Sequence, residues 1–155
     1  QGKWKINARY EKSNLINRIQ RIAQYRDRIL LYNEDAIDLL KHLRKQLPAN
    51  SLFYFDPPYY IKGKDLYLNF YGEDNHNQIA REIKKIYTQR WIVTYDNVKP
   101  IRQLYNNYRQ IHYFLSYSAA KPSKGEEVMI FSDNLYIPEN KNIKRALRDV
   151  SAQCT

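Results

Sequence analysis

At 155 residues with 43% hydrophobic content, the chain is long enough for one domain with a real core, too short for two ordinary ones, and too apolar for intrinsic disorder. Lys and Arg total 26 against 16 Asp and Glu, and the formal charge of +10 points to a polyanionic partner, most often nucleic acid. No apolar run approaches the roughly 18 residues of a membrane span, and Cys154 as the only cysteine excludes an internal disulfide and fits a reducing cytoplasm.

Residues 1–12 are polar and aromatic without a clear period and read as loop. The opening Gln1-Gly2-Lys3-Trp4 has neither an initiator Met nor a signal-peptide apolar stretch, and reads as the start of a piece of something longer. Ser13 is placed to cap a helix running to about Gln24, with Leu15, Ile16, Ile19 and Ile22 as an apolar stripe and Arg18 and Arg21 toward solvent or phosphate. Arg28–Tyr32 (RILLY) reads as a short buried strand. Glu34 and Asp35 open a second helix, where acidic residues suit the positive end of the dipole. Ile37, Leu40, Leu43 and Leu47 give its buried face, and Pro48 ends it.

Ser51–Phe55 (SLFYF) is the next strand, and it runs straight into Asp56-Pro57-Pro58-Tyr59-Tyr60. Beyond a segment broken by Gly63 and Gly72, Asp74 or Asn75 can cap a helix with Ile79, Ile83 and Ile86 on one side. Trp91–Tyr95 (WIVTY) is a strand and Pro100–Tyr108 a short helix. Ile111–Tyr117 and Glu127–Phe131 are strands joined by a polar loop, Ser118–Glu126, and the charged tail after Pro138 forms a weak helix or nothing fixed. Strands alternating with helices imply an α/β, mostly parallel sheet. The final two strands are too closely joined for a crossover helix and should pair antiparallel. Ligands of such sheets bind beyond the carboxyl ends of the strands, where Asp56 lies.

The stretch after SLFYF has a definite chemical character. A residue before proline is pushed out of the helical region, so Asp56 and Pro57 are both held extended. Neither proline has an N–H, and a carboxylate only accepts, so the site offers converging acceptors and no donors. Such a site suits an atom carrying two hydrogens, as in an exocyclic amine, with Tyr59 supplying a face for the attached ring. Hydrogen bonds from that amine to Asp56 and to the Pro57 carbonyl would draw its nitrogen toward tetrahedral geometry and localise its lone pair for attack on a methyl group. A base inside a duplex is unreachable, so the target must be flipped out. The plainer alternative is a rigid turn that only caps the strand.

Around Asp56-Pro57-Pro58-Tyr59 the chain resembles the carboxyl-terminal part of the Dam-type adenine-N6 DNA methyltransferases, in which target recognition precedes a DPPY strand. The likeness runs from about Asn7 to Asn134. The strand followed by Asp35-Ala36 resembles the family's Asp-Phe pair, which contacts the donor's adenine, with Ala36 in place of the aromatic. Asn75-His76 resembles an Asp-His step opening the next helix, and Thr94-Tyr95-Asp96-Asn97 resembles a Ser-Asn-x-Asp region. Glu126-Glu127-Val128-Met129-Ile130 resembles the Glu-Glu-Leu-Leu-Ile strand near the family's end. DPPY also marks RNA adenine and protein glutamine methyltransferases; the surrounding residues favour the DNA enzymes.

The resemblance implies a partial Rossmann-like methyltransferase sheet, mostly parallel with an antiparallel final strand. Its methyl-donor substrate would be S-adenosyl-L-methionine and its acceptor a flipped adenine in double-stranded DNA. Asp56, Pro57, Pro58 and Tyr59 would be catalytic, and Asp35, Ala36 and Asp56 would contact the donor. Family members hold that donor with a glycine-rich turn after their first strand, yet Gly2, Gly63, Gly72 and Gly125 are all far apart here. RILLY then stands as the third strand of the usual sheet, the first two are expected upstream of Gln1, and the DPPY strand keeps an open edge. The chain divides on this basis into the end of a target-recognition segment (1–12), a partial catalytic domain (13–134) and a charged tail (135–155).

Asn7, Arg9 and Tyr10 fall at the end of the recognition segment and are candidates for contact with bases or phosphate. Lys62, Lys64, Lys121 and Lys124 flank two loops near the catalytic end and either meet phosphates or are ordinary solvated lysines. Tyr67, Phe70 and Tyr71 either line the flipped-base pocket or pack in the core. His42, His76 and His112 are too scattered to point to a metal. Three functions stay open: part of a complete adenine methyltransferase with a restriction endonuclease as a conceivable companion, a DNA-binding remnant without catalysis, and half of a split enzyme completed by a missing amino-terminal half.

Overall fold

The computed structural model describes residues 10–61, 71–117 and 123–138. The chain divides between Asp35 and Ala36 into two units. In the first, helix α1 spans Lys12–Ala23 and starts ahead of the expected Ser13 cap: Glu11 is the N-cap residue and makes no side-chain cap bond. The Glu11 carboxylate instead accepts from Asn14 Nδ2 at 3.0 Å, and Arg18 Nε donates to Asn14 Oδ1 at 3.0 Å, a side-chain ladder along the helix surface. Leu15, Ile16, Ile19 and Ile22 are all exposed, as are Arg18 and Arg21, and no residue of α1 is buried.

The expected buried strand over Arg28–Tyr32 is corrected. Arg26–Arg28 forms a 3-10 turn, and Ile29 is locally extended with φ −115° and ψ 122°. No strand follows, and Leu30 and Leu31 are 81% and 93% exposed. A strand exists by exchanging backbone hydrogen bonds with a neighbouring strand, whereas the backbone bonds here are local, from the Arg28 N–H to the Tyr25 carbonyl at 2.8 Å and from the Ile29 N–H to the Arg26 carbonyl at 3.1 Å.

In the second unit, helix α2 (Ala36–Gln46) follows the acidic pair as expected and buries Ile37 and Leu40, with Leu43 and Leu47 half-buried. Its last carbonyls are closed from a distance: the Gln89 side chain donates to the carbonyls of Arg44 at 3.1 Å and Leu47 at 2.8 Å. Strand β1 is Leu52–Phe55. Helix α3 (Glu73–Ile83) has Gly72 as N-cap and not Asp74 or Asn75. Asn75 sits one turn in, and its side chain reaches back to accept the Gly72 N–H at 3.0 Å. Ile79 and Ile83 are buried on the expected side, and Ile86 joins them just past the helix end.

Strand β2 is Arg90–Asp96 and helix α4 is Lys99–Leu104, with a proline in its first turn, where a missing N–H costs nothing. Helix α4 is shorter than expected: Tyr105 has left the helical region with φ −116° and ψ 28°, and the rings of Tyr105 and Tyr108 lie against Trp91 at 6.3 and 4.9 Å between centroids. Strands β3 (Arg109–Tyr117) and β4 (Ser123–Phe131) extend well beyond their apolar centres. Ser123–Gly125 have weak strand propensity and read as loop, but direct pairing from Arg109↔Phe131 to Tyr117↔Ser123 recruits them.

The sheet order is β1-β2-β4-β3. β1 and β2 are parallel, while β4 runs antiparallel to both β2 and β3. Three strands therefore share one direction and the last opposes them, as expected. Phe53 and Phe55 of β1, the alternate β2 residues Trp91, Val93 and Tyr95, and Val128 and Ile130 of β4 share one face. Helices α2, α3 and α4 bury their apolar residues against that face in a single cluster. The opposite face carries Tyr54, Thr94, Asp96, Glu127 and Tyr113. The outer edge of β1 pairs with no strand among the described residues.

Candidate active site

One residue past β1, the parallel register brings Asp56 beside Thr94 of β2. Thr94 Oγ1 lies 2.9 Å from Asp56 Oδ1 and 3.4 Å from the Phe55 carbonyl, so its one proton goes to the carboxylate. Tyr54 then donates its hydroxyl to Thr94 Oγ1 at 3.1 Å, completing a chain from Tyr54 through Thr94 to Asp56. Thr94 is buried and Asp56 is exposed. Among the described residues, Asp56 Oδ2 and the Pro57 carbonyl accept no hydrogen bond. One carboxylate oxygen is thus fixed and the other keeps acceptor capacity to spare.

Two more side chains of the same sheet face hold the backbone and ring that follow. Asp96 accepts the N–H groups of Tyr60 at 2.8 Å and Ile61 at 3.0 Å, so the first donors after the prolines and Tyr59 are turned onto the sheet. Glu127, only 5% exposed, accepts the Tyr59 hydroxyl at 2.8 Å on one oxygen and the Tyr113 hydroxyl at 2.6 Å on the other. Burial, then the Glu127 hydrogen bond and charge, push the Tyr113 hydroxyl well above the ordinary tyrosine range, so it remains a donor. The proline stretch is therefore anchored at Asp56, at Tyr59 and at the backbone of Tyr60 and Ile61.

Behind the loop, on the helical face, His76 of α3 is buried and its Nδ1 lies 3.0 Å from the Tyr95 hydroxyl. The rings of Tyr60, Tyr71 and Tyr95 surround it at 5.0, 5.5 and 5.5 Å. Burial lowers its pKa below the ordinary histidine value, against smaller opposing effects from the Asp96 charge and the Tyr71 backbone. Burial likewise pushes the Tyr95 hydroxyl far up, so it stays protonated beside a neutral imidazole, and the direction of the hydrogen bond between them follows the His76 tautomer. Its Nε2 is buried without a hydrogen-bond partner among the described residues. A cavity of about 220 Å³ lined by Tyr60, Glu73, Asn77, Pro100, Gln103 and Leu104 shares no residue with Asp56–Tyr59.

The structure thus places Asp56, Pro57, Pro58 and Tyr59 together at the carboxyl end of β1, with the prolines and Tyr59 half-buried. Asp35 closes the first unit and Ala36 opens the second, and both are exposed. Tyr10 is exposed, and Tyr71 is half-buried, edge-on to His76 and packed against the core. Asn7, Arg9, Lys62, Lys64, Tyr67, Phe70 and Lys121 lie outside the described residues, and Lys124 is on β4. The supporting roles of Tyr54, Thr94, Asp96, Tyr113 and Glu127 escape the sequence. One signal was present: charged residues inside or at the end of apolar strands, Asp96 after WIVTY and Glu127 in EVMIF, cost too much to bury without partners.

A family model described as D12 class N6 adenine-specific DNA methyltransferase matches residues 1–117. No curated protein matches the chain.

Proposed function

The chain belongs to the D12 class N6 adenine-specific DNA methyltransferases, and from that premise we propose that Asp56, Pro57, Pro58 and Tyr59 hold the N6 amine of an adenine flipped out of double-stranded DNA. The observation that carries this reading is the state of Asp56: Oδ1 is fixed by Thr94 while Oδ2 and the adjacent Pro57 carbonyl keep their acceptor capacity. The amine's two hydrogens meet these two acceptors, and no N–H of either proline competes for them. Drawing both hydrogens to one side pyramidalises the nitrogen and frees its lone pair from the ring. Tyr59 offers its face to the base, which offsets part of the unstacking cost. The contribution is positioning and electrostatics, with acceptors fixed before the base arrives.

S-adenosyl-L-methionine is the methyl donor in this reading and supplies the electrophilic methyl carbon. The described residues do not by themselves build its site. Asp35 and Ala36 are exposed, Ala36 has no ring to stack on the donor's adenine, and no described glycine has a positive φ. What these residues support is the acceptor side. Asn7, Arg9, Tyr10, Lys62, Lys64, Tyr71, Lys121 and Lys124 are the proposed DNA contacts, consistent with the net charge of +10. The unpaired outer edge of β1 favours a second reading, in which another polypeptide completes the sheet and brings the donor site.

The test is transfer of labelled methyl from S-adenosylmethionine to unmethylated DNA, with residues 1–155 alone and with a polypeptide supplying the donor half. Incorporation at adenine N6 that disappears in Asp56→Ala is the expected result. DNA retention without incorporation in either arrangement would leave only a DNA-binding remnant.

A further inference from the structure

We propose that Glu127 is a positioning residue that holds the Tyr59 ring in its base-facing pose, with Tyr113 as the fixed second arm of the clamp. The proposal rests on the reading of Asp56–Tyr59 as the amine site. Glu127 is 5% exposed where the apolar half of β4 begins, next to the fully buried Val128. A carboxylate there is costly, and a well-packed hydrophobic residue of similar volume is commonly no worse for stability. The cost is raised further because Glu127 pairs directly with Asp96 on β2, one carboxylate opposite another. Each is accepted only because it takes two donors, and in both cases at least one donor comes from the Tyr59–Ile61 stretch.

The two bonds to Glu127 are not equivalent. Tyr113 lies directly across from Glu127 on β3, so its hydroxyl meets Oε2 within the rigid ladder, at 2.6 Å. Tyr59 lies 68 residues away in sequence, on the loop, and reaches Oε1 at 2.8 Å. Tyr113 therefore fixes the carboxylate, and the carboxylate fixes Tyr59. A tyrosine ring tethered at its hydroxyl loses the freedom of χ1, so the ring is held in place before a base arrives; χ2 turns about the axis through the hydroxyl oxygen and is restrained only by the in-plane preference of the phenolic O–H.

The experiment uses the full chain labelled with 3-fluorotyrosine, with the Tyr59 fluorine resonance assigned by its loss in Tyr59→Phe. Glu127→Leu and Glu127→Met remove this acceptor from the Tyr59 hydroxyl, whereas in Glu127→Gln the amide accepts from Tyr113 at its oxygen and donates its N–H to the Tyr59 hydroxyl oxygen. The two apolar variants are expected to move the Tyr59 resonance toward that of an exposed tyrosine, and Glu127→Gln to keep it near the wild type. An unmoved Tyr59 resonance in whichever apolar variant retains the wild-type circular dichroism would overturn the proposal. A single-stranded oligonucleotide with one adenine and a fluorophore at its end, read by anisotropy, gives the second readout. The preference of the wild type for this oligonucleotide over the same one with an abasic site at that position should fall about tenfold in Glu127→Leu and Glu127→Met, the scale of one base–aromatic contact. An equal preference in wild type and these variants would also overturn it. If the Tyr59 resonance moves but the wild type itself shows no preference for the adenine, the positioning role is supported and the amine-site reading is what falls.

Discussion

Thr94 has one hydroxyl proton and gives it to Asp56, while Tyr54 supplies the proton that Thr94 in turn accepts. Replacing it by valine keeps the shape and removes the bond. A hydrogen bond to a charged group contributes about 1.5–3 kcal/mol, so Thr94→Val should lower kcat of the assembled enzyme by about ten- to a hundredfold. KM for DNA should stay near its wild-type value, and Thr94→Ser should restore most of the rate. His76 gives a prediction of a different kind. Its folded-state pKa is lowered by burial, so between the unfolded value near 6.5 and that lower folded value the unfolded chain binds the extra proton. Stability should be flat above that range and fall as pH drops through it. Urea titrations at pH 7.5 and 5.5 should show the loss in the wild type and a smaller one in His76→Phe. At this scale the acceptor cradle was legible because Asp56, Pro57 and Pro58 are contiguous. Thr94, Asp96 and Glu127 were not, since they reach the motif across 38, 36 and 68 residues and only strand register brings them there.

Elements with a strong apolar period were legible, and those completed by a distant partner were not. Helices α2 and α3 follow from Ile37/Leu40 and Ile79/Ile83, and β2 from WIVTY. RILLY has the composition of a strand, but its first residues close local turn bonds, and composition alone does not supply a pairing neighbour. Conversely, Ser123–Gly125 read as loop and become strand because β3 offers them a ladder. The end of α2 shows the same dependence, since Gln89 closes its last carbonyls from the turn before β2. Gln89→Leu leaves those two carbonyls without this donor and should cost about 1–3 kcal/mol, read as a lower urea midpoint with an unchanged m-value. Ile83, fully buried beneath the sheet, should lose about 2–5 kcal/mol on truncation to alanine.

Across the whole molecule, the proposed function assigns the excess of positive charge to the phosphates of DNA. If the candidate lysines and arginines neutralise about six phosphates, DNA affinity should fall by about a thousandfold between roughly 50 and 200 mM salt. A filter-binding series measures this, and a flat profile would detach the charge from DNA. Base recognition should behave differently, because it depends on an amine meeting two fixed acceptors and not on the polyanion. The most direct measurement is therefore competition at constant salt between two oligonucleotides identical except at one position, where one carries adenine and the other purine, which has no 6-amino group. The wild type should prefer adenine by about tenfold or more, the scale set by a buried hydrogen-bonding site left unpaired, and Asp56→Ala should erase the preference. Equal binding of the two oligonucleotides by the wild type would contradict the assignment of Asp56 and Pro57 as the amine's acceptors.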